Sequence, residues 1–172
     1  MAALAARAGA QPAAPTADQV KAAYLHKFAG YVDWPPKAFA DPATPLVIGV
    51  VGAATVFAEL ARLVPGRAVH GRTVELRHLP AKGPAAADVH IVFVGRDVGV
   101  DATAAVVAAY RGRPVLTVTD VPHGLDNGGI LNFVEVDKRV RFEAAPAVAE
   151  LGGLRLSSRL LAVAERVVGA HP

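Results

Sequence analysis

The 172-residue chain contains no cysteine. That absence removes disulfides, iron–sulfur clusters, thiolate zinc sites and cysteine nucleophiles together. Serine is almost as scarce. Ser157 and Ser158 are the only two, and neither stands in a G-x-S-x-G elbow or an S-x-x-K motif, which excludes the usual serine hydrolase and β-lactamase arrangements. There is no Walker A run, no G-x-G-x-x-G and no H-E-x-x-H pair. Charged residues make up only 19% of the chain, and 18 Lys+Arg against 15 Asp+Glu leave a net charge of +3. The basic residues form no block, so nucleic acid is not an expected partner. Apolar runs such as Val89 to Val94 are far too short to span a bilayer, and no membrane insertion is expected.

What is present is a chain of ordinary domain length with 53% hydrophobic residues, enough to fill one core. Residues 16–172 read as a single domain. The first fifteen residues, MAALAARAGAQPAAP, are set apart by composition. Ala8-Gly9-Ala10 has the small-x-small form of a signal-peptidase site, although a basic n-region and a long apolar h-region are missing. The segment reads either as the remnant of an export signal or as a disordered Ala/Pro terminus.

Thr16 with Gln19 has the spacing of a capping box, and Val20, Tyr24, Phe28 and Tyr31 recur behind it as a helical stripe that Pro35-Pro36 stops. Leu46 to Val51 reads as a strand buried on both faces, followed by a helix from Thr55 to Leu63. Thr73 to Arg77 alternates as a strand, Pro80 to Pro84 is a loop, and Val89 to Val94 is a central strand. A helix over Ala102 to Tyr110 leads to a strand over Pro114 to Thr119. Ile130 to Val136 and Arg139 to Glu143 then flank a two-residue turn, Asp137-Lys138, as a hairpin. A short helix from Pro146 to Leu151 and a last helix capped by Ser157, with Leu161, Ala164 and Val168 inward, complete the chain. Strands alternating with helices and ending in a hairpin predict a three-layer α/β/α sandwich on a mixed, mostly parallel sheet.

Ligands of open parallel sheets collect beyond the carboxyl ends of the strands. Gly52 and Thr55 could hold an anion at a helix start with Arg96 adding charge, or could simply turn the chain and cap the helix. Asp120, His123 and Asp126 could bind a divalent metal or do acid–base work, but Pro, Gly, Asp and Asn in that stretch are also ordinary turn chemistry, so no metal is expected. His26 should be solvated and His90 a satisfied buried imidazole. Arg139 and Arg141 on one strand, with Arg155, Ser157 and Arg159 near the following turn, form a candidate basic constellation for an acidic ligand or partner; separately solvated arginines are the plainer alternative.

The order of motifs resembles the YfiR family. The segments are Val20-Lys-Ala-Ala-Tyr-Leu-His-Lys-Phe28, Val32-Asp-Trp-Pro35, Val47 to Gly52, Gly71-Arg72, Ala87 to Phe93, Pro114 to Asp120, Gly128 to Phe133, Arg139 to Glu143 and Leu154 to Leu161. The resemblance implies an exported, non-enzymatic, dimeric regulator of the periplasm. It would bind the periplasmic domain of a membrane-anchored diguanylate cyclase and repress it, lowering cyclic di-GMP and biofilm formation. No cofactor is implied. Well-known members carry cysteine pairs whose disulfides tie them to redox state, and this chain departs from them in having none. Two other readings stand beside it: a periplasmic small-ligand module that signals to another membrane receptor through the strand-end cleft, and an enzyme built on Asp120 and His123.

Overall fold

A computed structural model describes residue 9 and residues 12–169. Of the expected signal remnant, residues 1–8, 10 and 11 lie outside the described residues. In chain order the elements are α1 (Ala17–Gly30), β1 (Val32–Asp33), β2 (Leu46–Val51), α2 (Ala54–Leu63), β3 (Ala68–Val69), β4 (Arg72–Leu79), β5 (Ile91–Val94), α3 (Val100–Tyr110), β6 (Leu116–Thr119), β7 (Leu131–Val136), β8 (Arg139–Ala144), α4 (Pro146–Leu151), β9 (Arg155–Leu156), α5 (Ser158–Val163) and β10 (Arg166–Val167). The main sheet has eight strands in the order β10-β8-β7-β6-β5-β2-β4-β3. Its five central strands, β4 through β7, run parallel; β8 is antiparallel to β7, β3 is antiparallel to β4, and β10 lies parallel to β8. β1 and β9 form a separate antiparallel ribbon.

Side chains alternate across a strand, so β2 feeds two cores. Leu46, Ile48 and Val50 join Phe28, Leu25, Leu60, Phe133 and Phe142 beneath α1 and α2, while Val47 and Val51 join Val92, Val94, Val106 and Tyr110 beneath α3. These are the three layers the alternating pattern predicts. α1 begins at the expected box: Gln19 N–H donates to Thr16 Oγ1 at 3.2 Å and Thr16 N–H donates to Gln19 Oε1 at 3.0 Å. Its buried stripe is rotated from the expected one. Lys21, Ala22, Leu25, Phe28 and Ala29 face inward, whereas Tyr31 is 41% exposed. Small Ala22 and Ala29 allow the helix backbone to come close to its neighbours, which moves Tyr24 to the flank, against Phe28, Phe133 and Phe142.

Two further expectations change. The last helix stops at Val163, because Ala164 leaves helical geometry and the chain finds backbone partners on β8: Glu165 N–H donates to Phe142 O and Val168 N–H to Ala144 O, both at 2.8 Å. Val168 therefore follows a strand. The stretch Val121 to Gly129 is the turn its composition suggests, with Pro122, His123 and Asp126 exposed, but it is only partly solvated: Val121, Gly124, Leu125, Gly128 and Gly129 are buried. It folds back over β6 and β7, and a Cβ on Gly124 would collide with Thr119 Oγ1 and Asn132 Oδ1. The hairpin turn is as expected in length, and both of its residues are left-handed, Asp137 at φ 50° and Lys138 at φ 61°.

Candidate functional site

The strand order β4-β2-β5-β6-β7 reverses direction between β2 and β5, and the carboxyl ends of these two strands mark the topological switch point where open α/β sheets bind ligands. Gly52 and Ala53 follow β2, and α2 starts at Ala54 with Ala53 held left-handed at φ 48° and no side-chain cap hydrogen bond. Thr55 is exposed and does not cap. A side-chain acceptor reaches the N-cap residue from the 3-10 turn after β5: Ala53 N–H donates to Asp97 Oδ1 at 3.0 Å. Gly52 has φ +64°, and a Cβ there would lie 2.7 Å from Asp97 Oδ2. The protein's own carboxylate thus stands beside the helix start for which the sequence offered either an anion or a simple turn and cap.

Beside it lies a depression of about 420 Å³ whose lining includes Asp18, Lys21, Thr55, Arg96, Asp97 and Asp120. Its three carboxylates outnumber its two cations, which further disfavours an anion. Asp120, at the end of β6, is 5% exposed and is the centre of an ionic triad. Lys21 Nζ donates to its Oδ2 at 2.7 Å; Arg96 Nε donates to Oδ2 at 3.1 Å and Arg96 Nη2 to Oδ1 at 2.9 Å. The two-pronged contact holds the guanidinium pKa above its ordinary value. Thr55, Arg96 and Asp120 line this depression, Gly52 stands against Asp97 at its edge, and Lys21 is a member that the sequence did not single out. Its signal is its helical phase: Lys21, Leu25 and Ala29 share one inward face.

Arg96 and Asp120 also wall a second, larger groove of about 500 Å³, on the other side, which His123 borders. His123 is not joined to Asp120. Its ring, 83% exposed, stands 3.4 Å from Asp126, itself 65% exposed. The three residues do not converge, and no group of three or more His, Cys, Asp or Glu suited to a metal occurs among the described residues.

The basic constellation divides. Arg141 and Arg159 line one groove of about 430 Å³ together with Lys27, Tyr31 and Val163, and no acid lines it. Arg139 is exposed beside the hairpin turn, and Arg155 stands on β9 opposite Asp33. Ser157 is engaged in structure: its Oγ accepts from Leu160 N–H at 3.2 Å and its N–H donates to Tyr31 O at 3.0 Å. Tyr31 and Val163, 41% and 66% exposed, are large hydrophobics presented on this rim. The rotation of α1 that leaves Tyr31 outside could not be read from spacing.

Of the two histidines singled out, His90 is satisfied. Val47 N–H donates to Nδ1 at 3.0 Å, Nε2–H donates to Ala38 O at 2.9 Å, and Phe39 stacks on the ring at 4.3 Å. Burial pushes its pKa down. His26 departs from expectation: its Nε2 is buried without a partner, and burial followed by the Arg67 charge lowers its pKa.

The chain is thus an open, doubly wound α/β sandwich with a cationic groove edged by Tyr31 and Val163 beside α1. The chain belongs to the YfiR/HmsC-like family (DUF4154), whose profile matches residues 18–165. That family consists of periplasmic regulators rather than catalysts. A search of curated proteins returns no match. No helix among the described residues is long and apolar enough to cross a membrane.

Proposed function

We propose that this protein is an exported regulator that represses a membrane-anchored diguanylate cyclase by binding the cyclase's periplasmic domain. The observation that carries the reading is the family match over residues 18–165. The surface best suited to the contact is the groove between α1, β8 and α5. Lys27, Arg141 and Arg159 surround exposed Tyr31 and Val163 there, and an acidic rim around an apolar knob would complement it. Repression then works as a population shift, in which the regulator binds the inactive receptor better than the active one and its departure activates the cyclase. Homodimerisation belongs to the same reading.

The test is co-purification with the receptor's periplasmic domain, combined with cyclic di-GMP levels in a deletion strain. Deletion should raise cyclic di-GMP. Arg141→Glu with Arg159→Glu should abolish co-purification, whereas Arg139→Ala and Arg155→Ala, which stand away from the groove, should leave it intact. Unchanged cyclic di-GMP on deletion would refute repression. Loss of binding in the Arg139 and Arg155 variants alone would move the surface elsewhere.

A further inference from the structure

β3 pairs with β4 only through Ala68 opposite Thr73 and Val69 opposite Arg72. Beyond Thr73, β4 runs on to Leu79 beside β2, and no strand among the described residues lies along its outer side. Backbone parity fixes which groups stand free there, because successive residues of a strand turn their N–H and C=O to alternate edges. On β2, Val47 O accepts from His90 N–H at 2.9 Å and Val51 O from Gly95 N–H at 3.0 Å, so Leu46, Ile48 and Val50 face β4 instead. In a parallel pair a residue bonded to its neighbour stands opposite one whose own groups point away. Val74, Leu76 and His78, the register partners of Leu46, Ile48 and Val50, therefore offer N–H and C=O outward. The β3–β4 hairpin agrees, since Arg72 has the same parity and pairs outward with Val69 across the two-residue turn His70-Gly71.

The side chains along this edge divide by face. Val74 and Leu76 pack against the core beneath α1 and α2, and His78, on the same face, stacks on Phe57 of α2 at 3.6 Å. Glu75 and Arg77, the register partners of Val47 and Gly49, stand on the other face. Their side chains are 55% and 37% exposed, so both can be reached from outside. Arg77 Nη1 donates to Asp88 at 2.7 Å, whereas its Nη2 is 3.9 Å from Glu75, beyond hydrogen-bond reach. Glu75 and the second arm of Arg77 thus keep capacity for a closer partner.

We propose that this edge is where two copies of the chain pair, β4 against β4 antiparallel, about a two-fold axis at Leu76. In such an interface, if residue i meets residue j then j meets i, so the strand must be its own complement. The order Glu75-Leu76-Arg77 meets that condition. An axis at Leu76 sets each Glu75 opposite the partner's Arg77, and opposite charges facing each other across an antiparallel pair are favourable. An axis at Glu75 or at Arg77 would instead set that residue against its own copy, like charge on like, so charge selects the register. Parity allows the same register: the outward groups of Leu76 meet those of the partner's Leu76, and Val74 meets the partner's His78. The apolar row beneath α2 then continues from one copy into the other. The contact supplies a surface for the homodimer of the proposed function and rests on that part of the reading.

The test is sedimentation equilibrium of the whole chain from micromolar to millimolar concentration, with amide hydrogen exchange read over the same range. The wild type should dimerise. Glu75→Arg, an exposed substitution, turns both facing pairs into like charges and should raise the dissociation constant about tenfold or more. Glu75→Arg with Arg77→Glu restores opposite charges in reversed order and should restore the dimer. Circular dichroism checks that each variant is folded, and the wild type alone supplies an independent measure: the Leu76 amide should exchange more slowly as the dimer forms. A wild type that stays monomeric overturns the proposal, as does a dimer that Glu75→Arg leaves unweakened, a charge swap that does not restore it, or Leu76 exchange that ignores concentration. A dimer indifferent to these substitutions places the contact on another face and leaves homodimerisation standing. Repression is tested separately by cyclic di-GMP in the deletion strain, so the two failures are distinct results.

Discussion

Lys21 on the first helix and Asp120 at the end of β6, 99 residues apart, meet at 2.7 Å with side chains only 7% and 5% exposed. The pair ties α1 to the carboxyl end of the sheet, and Arg96 completes it from the solvent side. Removing one member of a buried pair leaves the other charge uncompensated, which costs about 3–5 kcal/mol. Asp120→Asn should show the full loss, because it strands Lys21. Lys21→Met should cost less, because Arg96 still neutralises Asp120. Urea denaturation of both variants measures the difference, and the opposite ranking would show that Arg96 does not compensate Asp120 when Lys21 is gone.

Asp97 accepts from Ala53 N–H, the backbone donor just before the first turn of α2. Asp97→Ala should cost about 1 kcal/mol, the usual net value of one hydrogen bond. It should also make thermal stability rise with phosphate, whereas the wild type should show no phosphate-dependent shift in a salt-controlled scan. A phosphate response in the wild type would mean that the carboxylate does not close the site.

His90 makes stability depend on pH. Its folded pKa lies below the ordinary imidazole value of about 6.5 because burial disfavours the charged ring; the bond to Ala38 and the Asp88 charge oppose this only in part, and Arg72 adds to it. Between the two values the unfolded chain binds the proton and the folded one does not. Stability is therefore intact above about 6.5 and falls as pH drops toward the folded value. His26 acts in the same direction. Trp34, the single tryptophan, donates to His90 O at 3.3 Å and reports on the site by fluorescence. His90→Gln should flatten the pH dependence of unfolding; an unaltered slope would assign it to His26 or to other groups.

The hairpin turn between β7 and β8 holds Asp137 and Lys138 left-handed without a glycine. Asp137→Asn with Lys138→Gly supplies the residues this turn favours and should raise stability by about 1 kcal/mol. Equal or lower stability in a thermal scan would show that the turn is unstrained.

Much of the fold was legible because local rules and tertiary needs agree. The Thr16-Gln19 box, the apolar β2 run and the length of the hairpin turn each specify their element without help from distant residues. What was hidden depends on partners far along the chain. β10 exists because β8 offers it backbone groups, the rotation of α1 follows from small Ala22 and Ala29 meeting their neighbours, and Lys21 and Asp97 act through residues 99 and 44 positions away. Gly52, Thr55, Arg96 and Asp120 could be gathered from topology alone, since strand ends converge. The five-residue basic constellation could not, because β9 diverts Arg155 to the ribbon with β1, and only Arg141 and Arg159 reach one groove.

Both borders of the eight-stranded sheet are formed by strands of two residues, β3 and β10. β10 pairs only with Glu143 and Ala144 of β8, so the stretch Arg139 to Arg141 keeps an unpaired outer edge. An open edge invites another chain to add itself, and natural proteins discourage this with charge. Arg139 and Arg141 flank that open stretch, so self-association by strand addition would stack like charges at every new layer. Their replacement by valine should turn a well-behaved solution of this protein into one that forms thioflavin-positive aggregates, with Arg139 guarding solubility even though it stands outside the groove.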